Sequence, residues 1–233
     1  LTLAAGNQTL TVSNIDTVFG GVGVDSLTLA SVSSGNTLTV VSNIDTVTGS
    51  NGADTLNLAD GGQTVSVSGV ETVNGGTGAD NITLTGGTAA TINGSTGTDT
   101  LILGTGGQTA TVNGIETVTG GAGTDTLTLA AGSQTVNVSD VENIIGGATG
   151  YDILTLAAGN QTLTVSNIDT VIGGSGTSDI DTLTLAAGSQ TLKVSNIDTV
   201  IGGTGVDTLT LDTGNQTLTI SNVETVNGGT VTS

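Results

Sequence analysis

The chain has 233 residues, 39 of them glycine, with no proline, cysteine, methionine, histidine or tryptophan, and a formal net charge of -19 in which twenty carboxylates face one basic residue, Lys193. That balance excludes nucleic acid and anionic membrane as partners, and the missing imidazole and thiol, with no carboxylate pair set apart from the repeat, read against an enzyme. With Phe19 and Tyr151 as the only aromatics, burial must come from many small aliphatic side chains, and their fixed spacing argues for order rather than disorder.

No apolar run approaches the roughly 18 residues of a membrane span, and no stretch reads as a signal peptide. The chain opens inside a repeat at Leu1-Thr2-Leu3, which reads as a processed product or a piece of something longer. Repeat units then begin at Gly20, Gly49, Gly75, Gly94, Gly120, Gly146, Gly173 and Gly202. The last shows the plan: a loop from Gly202 to Asp207, an apolar segment Thr208-Leu209-Thr210-Leu211, a turn over 212–215, a second segment over 216–220, Ser221-Asn222, and a third segment over 223–227. The loop aspartates Asp25, Asp54, Asp80, Asp99, Asp125, Asp152, Asp181 and Asp207 are spaced by 29, 26, 19, 26, 27, 29 and 26 residues. The commonest period is 26, extra residues are assigned to corners, and the 19-residue unit over 75–93 lacks one side.

Such self-similarity marks a solenoid. In the first two segments apolar residues alternate with Thr, the period of a strand with one buried face, while in the third Val223 and Val226 are three apart, which predicts a bend or bulge. Before the third segment stand Asn14, Asn43, Gly69, Gly114, Asp140, Asn167, Asn196 and Asn222, all of types that tolerate a left-handed backbone. Three segments per unit predict an all-β, parallel β-solenoid of about nine coils, mostly three-sided, as a single tandem-repeat array over residues 1–233.

Chemistry concentrates in the loop. Gly202-Gly203-Thr204-Gly205-Val206-Asp207 fits the nonapeptide G-G-x-G-x-D-x-U-x, with close copies at Gly20-Gly21-Val22-Gly23-Val24-Asp25, Gly75-Gly76-Thr77-Gly78-Ala79-Asp80 and Gly120-Gly121-Ala122-Gly123-Thr124-Asp125, and looser ones from Gly49, Gly94, Gly146 and Gly173. On these residues the chain resembles the RTX, or haemolysin-type, calcium-binding repeat proteins. A hard cation taking about six to eight oxygens draws them from glycine-turn carbonyls and from carboxylates of adjacent coils, so the eight loop aspartates with these Gly positions are the expected Ca2+ ligands. The alternative is that they are only Gly-Asp turns closing a corner. The RTX roll carries the motif twice in a coil of about 18 residues, whereas here it occurs once in about 26, which predicts a single line of sites along one edge.

A second acidic series, Asp16, Asp45, Glu71, Glu116, Glu142, Asp169, Asp198 and Glu224, mixes Asp and Glu and reads as an outward charge ladder, with a weaker calcium role as the alternative. Thr9/Thr11, Thr37/Thr39, Thr126/Thr128, Thr162/Thr164, Thr182/Thr184 and Thr217/Thr219 form outward rows similar to the ice-binding faces of some antifreeze proteins, although Lys193, Asn137, Asn57 and Ser66 interrupt them. The expected function is a secreted, calcium-stabilised structural protein: a cell-surface filament, surface-layer component or adhesin stalk. Its partners are calcium ions and, end to end, further copies; Gly228 to Ser233 joined to Leu1-Thr2-Leu3 reads as one degenerate loop motif. Ice binding and a non-catalytic module of a secreted enzyme or toxin are the alternatives.

Overall fold

The computed structural model describes all residues except Thr88, Thr177, Gly214, Asn215 and 230–233, with Val40 described by its backbone alone. The joined-end motif therefore lies partly outside the described residues, as does half of the turn over 212–215. The described residues form 25 strands and no helix, so no helix is long and apolar enough to cross a membrane.

Every segment expected from the repeat is a strand, but the coil is not three-sided. Successive strands alternate between two parallel sheets, and each strand pairs with the next but one. Thr55 sits beside Thr72 and Thr100 beside Thr117, 17 residues on, while longer turns stretch the step to 23 between Thr170 and Lys193. A turn of the solenoid is therefore two strands, and 25 strands make about twelve turns instead of nine. The 26-residue repeat is three half-turns of roughly nine residues each.

The chain divides into two compact units, Leu1–Asp125 and Thr126–Ser233. Within the first, strands such as Gln8–Val12, Asp25–Leu29, Thr46–Thr48 and Thr64–Ser68 are consecutive neighbours in one sheet, and Thr37–Ser42, Thr55–Leu58 and Thr72–Asn74 lie in the other. In the second, Ile153–Leu156, Thr170–Ile172 and Thr191–Ser195 follow one another in one sheet, with Asn143–Ile145, Thr162–Ser166 and Thr182–Leu185 in the other.

Alternation explains burial. In Thr64–Ser68 Val65 and Val67 are buried between the sheets while Ser66 faces outward, and the same holds for Leu154 and Leu156 in Ile153–Leu156. Fully burying each such side chain contributes about 1.5–3 kcal/mol. A flattened two-layer coil suits this supply, because the aliphatic rows of the two sheets fill the space between them without any large side chain.

The third segment does not bulge. Its first apolar residue, Ile44, Val70, Ile115, Val141, Ile168 or Ile197, is buried at the edge of the coil just after the corner residue, and the three-residue strand begins beyond it. The corner residues have positive φ, 52° at Asn14 and Asn43, 54° at Asp140 and Asn167, 62° at Gly69. A full reversal there, in place of a wider bend, makes the coil two-sided and turns an apolar plug inward. Among the described residues a register slip lies in Thr37–Ser42, where the pairing with Thr55–Leu58 shifts between Leu38 and Val41; an inserted residue is absorbed there in a strand, contrary to the expectation that extra residues fall at corners.

The left-handed corner gives a direct test. Asn167→Val, a β-branched residue forced to positive φ, is expected to destabilise the chain by about 1–2 kcal/mol or more, whereas Asn167→Gly stays within about 1 kcal/mol. Urea denaturation followed by circular dichroism compares them.

Candidate functional site

A chain reversal leaves backbone N–H groups with no strand partner, and where a turn is covered by neighbouring coils each needs an acceptor. The loop aspartates supply it. Asp25 is fully buried; its Oδ2 accepts the N–H of Gly21 at 2.8 Å, and its Oδ1 accepts the N–H of Gln8, one coil earlier, at 2.9 Å. Asp125 accepts from Gly121 and Gln108, Asp152 from Gly147 and Gln134, Asp181 from Gly174 and Gln161, and Asp207 from Gly203 and Gln190. Asp54 takes the N–H and hydroxyl of Ser50 on one oxygen and the N–H and side-chain amide of Asn36 on the other. Burial on its own raises the Asp54 pKa, but those Ser50 and Asn36 donors outweigh it and hold the carboxyl below its ordinary value.

The second acidic series faces outward, with Asp16, Asp45 and Glu224 exposed, but six of its members also bond back to the preceding coil. Asp45 accepts the N–H of Asp25 at 2.7 Å, Glu71 that of Asp54, Glu116 that of Asp99, Asp169 that of Asp152, Asp198 that of Asp181 and Glu224 that of Asp207. The mixture of Asp and Glu reflects a reach to one amide across a coil step, which either side chain makes. A third position went unread in the sequence: the Gln that opens the second segment. Gln63 Oε1 accepts the N–H of the corner residue Asn43, Gln161 that of Asp140, Gln190 that of Asn167 and Gln216 that of Asn196. Its signal was present, since Gln recurs at that place in most units, with Asn36 in its stead after Asp25 and no counterpart in the short unit over 75–93.

Apart from the bond each loop Asp makes within its own turn, these side chains reach back to an amide of the preceding coil. Because three half-turns make an odd number, successive loops fall on opposite edges: in the first unit Asp54 and Asp125 lie opposite Asp25, Asp80 and Asp99, and in the second Asp181 lies opposite Asp152 and Asp207. The expected single line of loops is therefore two lines.

The motif glycines serve the same stacking. A Cβ on Gly20 would lie 1.7 Å from the carbonyl oxygen of Asn43 in the following coil, and one on Gly202 equally close to that of Asn222. Gly21, Gly121 and Gly203 press on Ala4, Gly104 and Ala186 of the preceding coil. Gly23, Gly78, Gly123 and Gly205 have φ between 106° and 136°, where a side chain is strained. Gly120 is half-buried at the start of its loop.

One place breaks the pattern. The short unit over 75–93 contains two half-turns, Asn81–Thr85 and Ala90–Asn93, so the loops of Asp80 and Asp99 stack directly on one edge and join through a bridge between Thr77 and Thr96. Asp99 Oδ1 accepts the N–H of Asp80, and Asp80 Oδ1 that of Gln63. Gly76 and Ser95, at φ 90° and 76°, adopt a left-handed turn absent from the other loops, and the buried Oδ2 atoms of Asp80 and Asp99 have no hydrogen-bond partner. A Cβ on Gly75 or Gly94 would come within 2.5 Å of these oxygens. Burial first, then the Asp99 charge, pushes the Asp80 pKa up to about 6 against the Gln63 amide, and burial with the Glu116 charge raises Asp99 as well. Asp181 is also raised, by burial and then by Asp179 and Asp198.

The donor set thus divides the eight loops. Six carboxylates meet N–H groups on both oxygens, a surrounding suited to an anion and unsuited to a cation. The stacked pair Asp80 and Asp99, with its unpartnered buried oxygens, is the part that fits a hard cation. Among the described residues no group of three or more His, Cys, Asp or Glu side chains is placed to hold a metal. No protein-family model, curated protein sequence or solved structure matches the chain.

Hydrogen bonds to a charged group contribute about 1.5–3 kcal/mol each, so Asp152→Ala, which strands two turn amides, is expected to cost about 3 kcal/mol or more in chemical denaturation, and Asp152→Asn clearly less. The stacked pair sets a pH response opposite in sign to that of Asp54. A carboxyl whose folded pKa is raised contributes stability that is complete below the unfolded value and is lost as pH rises through the folded one. In chelator, stability is therefore expected to fall between about pH 4 and 6, by on the order of 2 kcal/mol, and Asp80→Asn should flatten that limb of the denaturation profile.

Proposed function

We propose that this chain is a structural β-solenoid of the extracellular surface, part of a filament, surface layer or adhesin stalk, whose task is to hold its own coils in register. The edge ladder carries the reading: the Asp, Gln and Asp/Glu positions that the repeat maintains join one coil to the next. This supports a non-enzymatic role and fits equally a non-catalytic module within a larger secreted protein. Ladder polarity supports end-to-end self-association, because turn acceptors face one way along the stack and turn amides the other, so the two ends of any run of coils are complementary. Nucleic acid and membrane insertion have no place in the reading, given the charge.

Calcium enters at the stacked loops. There Asp80 and Asp99, with glycine-turn carbonyls beside them, would hold the ion, and the resemblance to RTX repeats points the same way. Neutralising two buried carboxylates would relieve the burial cost that now raises their pKa values. In export, low calcium inside the cell leaves this joint unlocked and higher calcium outside closes it.

Thermal denaturation at neutral pH tests the proposal. Calcium at about a hundred times its dissociation constant adds roughly 2.7 kcal/mol, an expected rise in Tm of about 5–10 °C over chelator for a chain of this size. Asp80→Asn with Asp99→Asn should abolish the rise and Asp152→Asn should keep it. An unchanged wild-type Tm would remove calcium from the reading and leave the ladder standing.

A further inference from the structure

The eight loops differ in the direction of one peptide. In six of them the residue after the first loop glycine donates its N–H to the Oδ2 of the loop aspartate, from Gly21, Ser50, Gly121, Gly147, Gly174 and Gly203, at 2.6–3.0 Å. None of these six residues has a left-handed φ. Their counterparts in the stacked loops, Gly76 and Ser95, stand at φ 90° and 76°, and among the described residues neither amide donates a hydrogen bond. The oxygens those amides would serve, Oδ2 of Asp80 and of Asp99, are buried and have no partner.

A type I turn becomes type II when its central peptide is turned over, and the mark of the change is a φ near +80° at the residue that follows. Because the peptide is planar, turning it exchanges the side that carries N–H for the side that carries C=O. The turned form lets the two loops pair through Thr77 and Thr96, where Gly78 donates to the Thr96 carbonyl at 2.8 Å and Thr96 to that of Gly76 at 3.5 Å. Set against that pairing are two buried oxygens without donors and a serine held in a region that favours glycine. Residue type does not impose the turned form, since Ser50 fills the same place in its loop and gives its N–H to Asp54.

We infer that the peptides Gly75–Gly76 and Gly94–Ser95 form a two-position latch. Turned as they stand, they leave Asp80 and Asp99 open to a hard cation; turned back, they give both carboxylates the N–H groups that the other six loops use, and the ion is excluded. Gly76 and Ser95 are thus positioning residues, acting through the two carboxylates. This rests on the reading of calcium at the joint and adds what competes with the ion there, the chain's own amides. Only the turned fraction binds, so the observed affinity carries the cost of turning.

Calcium titration of the full chain, with amide hydrogen exchange followed by NMR in chelator and in calcium, tests the latch. In chelator the Gly76 and Ser95 amides should be protected as those of Gly121 and Gly147 are. In calcium these two should exchange about tenfold faster while the rest of both loops slows. Ser95→Gly, which removes the cost of the left-handed residue, should tighten calcium binding about fivefold, and Ser95→Val should weaken it about tenfold; Ser50→Gly should leave it unchanged. Calcium binding with both amides unmoved overturns the latch and leaves the calcium reading standing, as does an affinity indifferent to Ser95→Gly and Ser95→Val, or one that follows Ser50→Gly equally. A wild type that binds no calcium removes the reading and the latch together.

Discussion

A turn amide covered by the next coil has no strand to bond to, and the fold depends on how these groups are satisfied. Strands of three to six residues contribute few ladder bonds each, so about half of every coil is turn. Leaving one buried N–H unpaired costs on the order of 1–3 kcal/mol, and a tandem array meets that cost at both edges of every coil. Loop Asp, opening Gln and third-segment acid each accept an amide from the coil before. The glycines follow from the same contact, because a coil that places its carboxylate over a neighbour's amides also brings backbone against backbone, as where Gly20 meets Asn43.

The odd number of half-turns in the repeat distributes this chemistry. An even number would stack all loop aspartates on one edge and Gln on the other. Three half-turns interleave Gln, loop Asp and the second acid along both edges, so an acidic turn always has a neutral Gln turn on one side. Like charges a few ångströms apart repel by about 1 kcal/mol even in water, and interleaving limits the contact to one acidic neighbour. The short unit over 75–93 breaks this order and stacks Asp80 on Asp99, which leaves two buried oxygens without donors. A site fit for a cation thus arises from an interruption of the repeat.

Charge and faces are separated as a consequence. Carboxylates confined to the edges leave the sheet faces of the first unit to Thr, Ser, Asn and a few aliphatic side chains, which discourages edge-to-edge aggregation while keeping those faces neutral; in the second unit Lys193 stands on a sheet face.

Much of this was legible in the sequence. Alternation in Thr208-Leu209-Thr210-Leu211 fixed strand and buried face, and the Asn, Gly or Asp before the third segment fixed a left-handed corner, because both are local properties of a short stretch of chain. The recurrent loop Asp and Gln marked turn positions with a constant task. What remained open was how far each corner turns. Three strands per repeat are compatible with a three-sided coil or with one and a half two-sided coils, and only packing chooses, since Ile44 and its counterparts become buried plugs only if the chain reverses fully. Partners of the acids followed from that choice: whether Asp45 faces water alone or also reaches the amide of Asp25 depends on which coil lies above which, a relation between residues 20 apart that no local pattern contains. The sequence by itself determined the strands, the corners and the residues held constant, while the tertiary structure alone decided which edge each loop occupies and which two carboxylates meet without a donor.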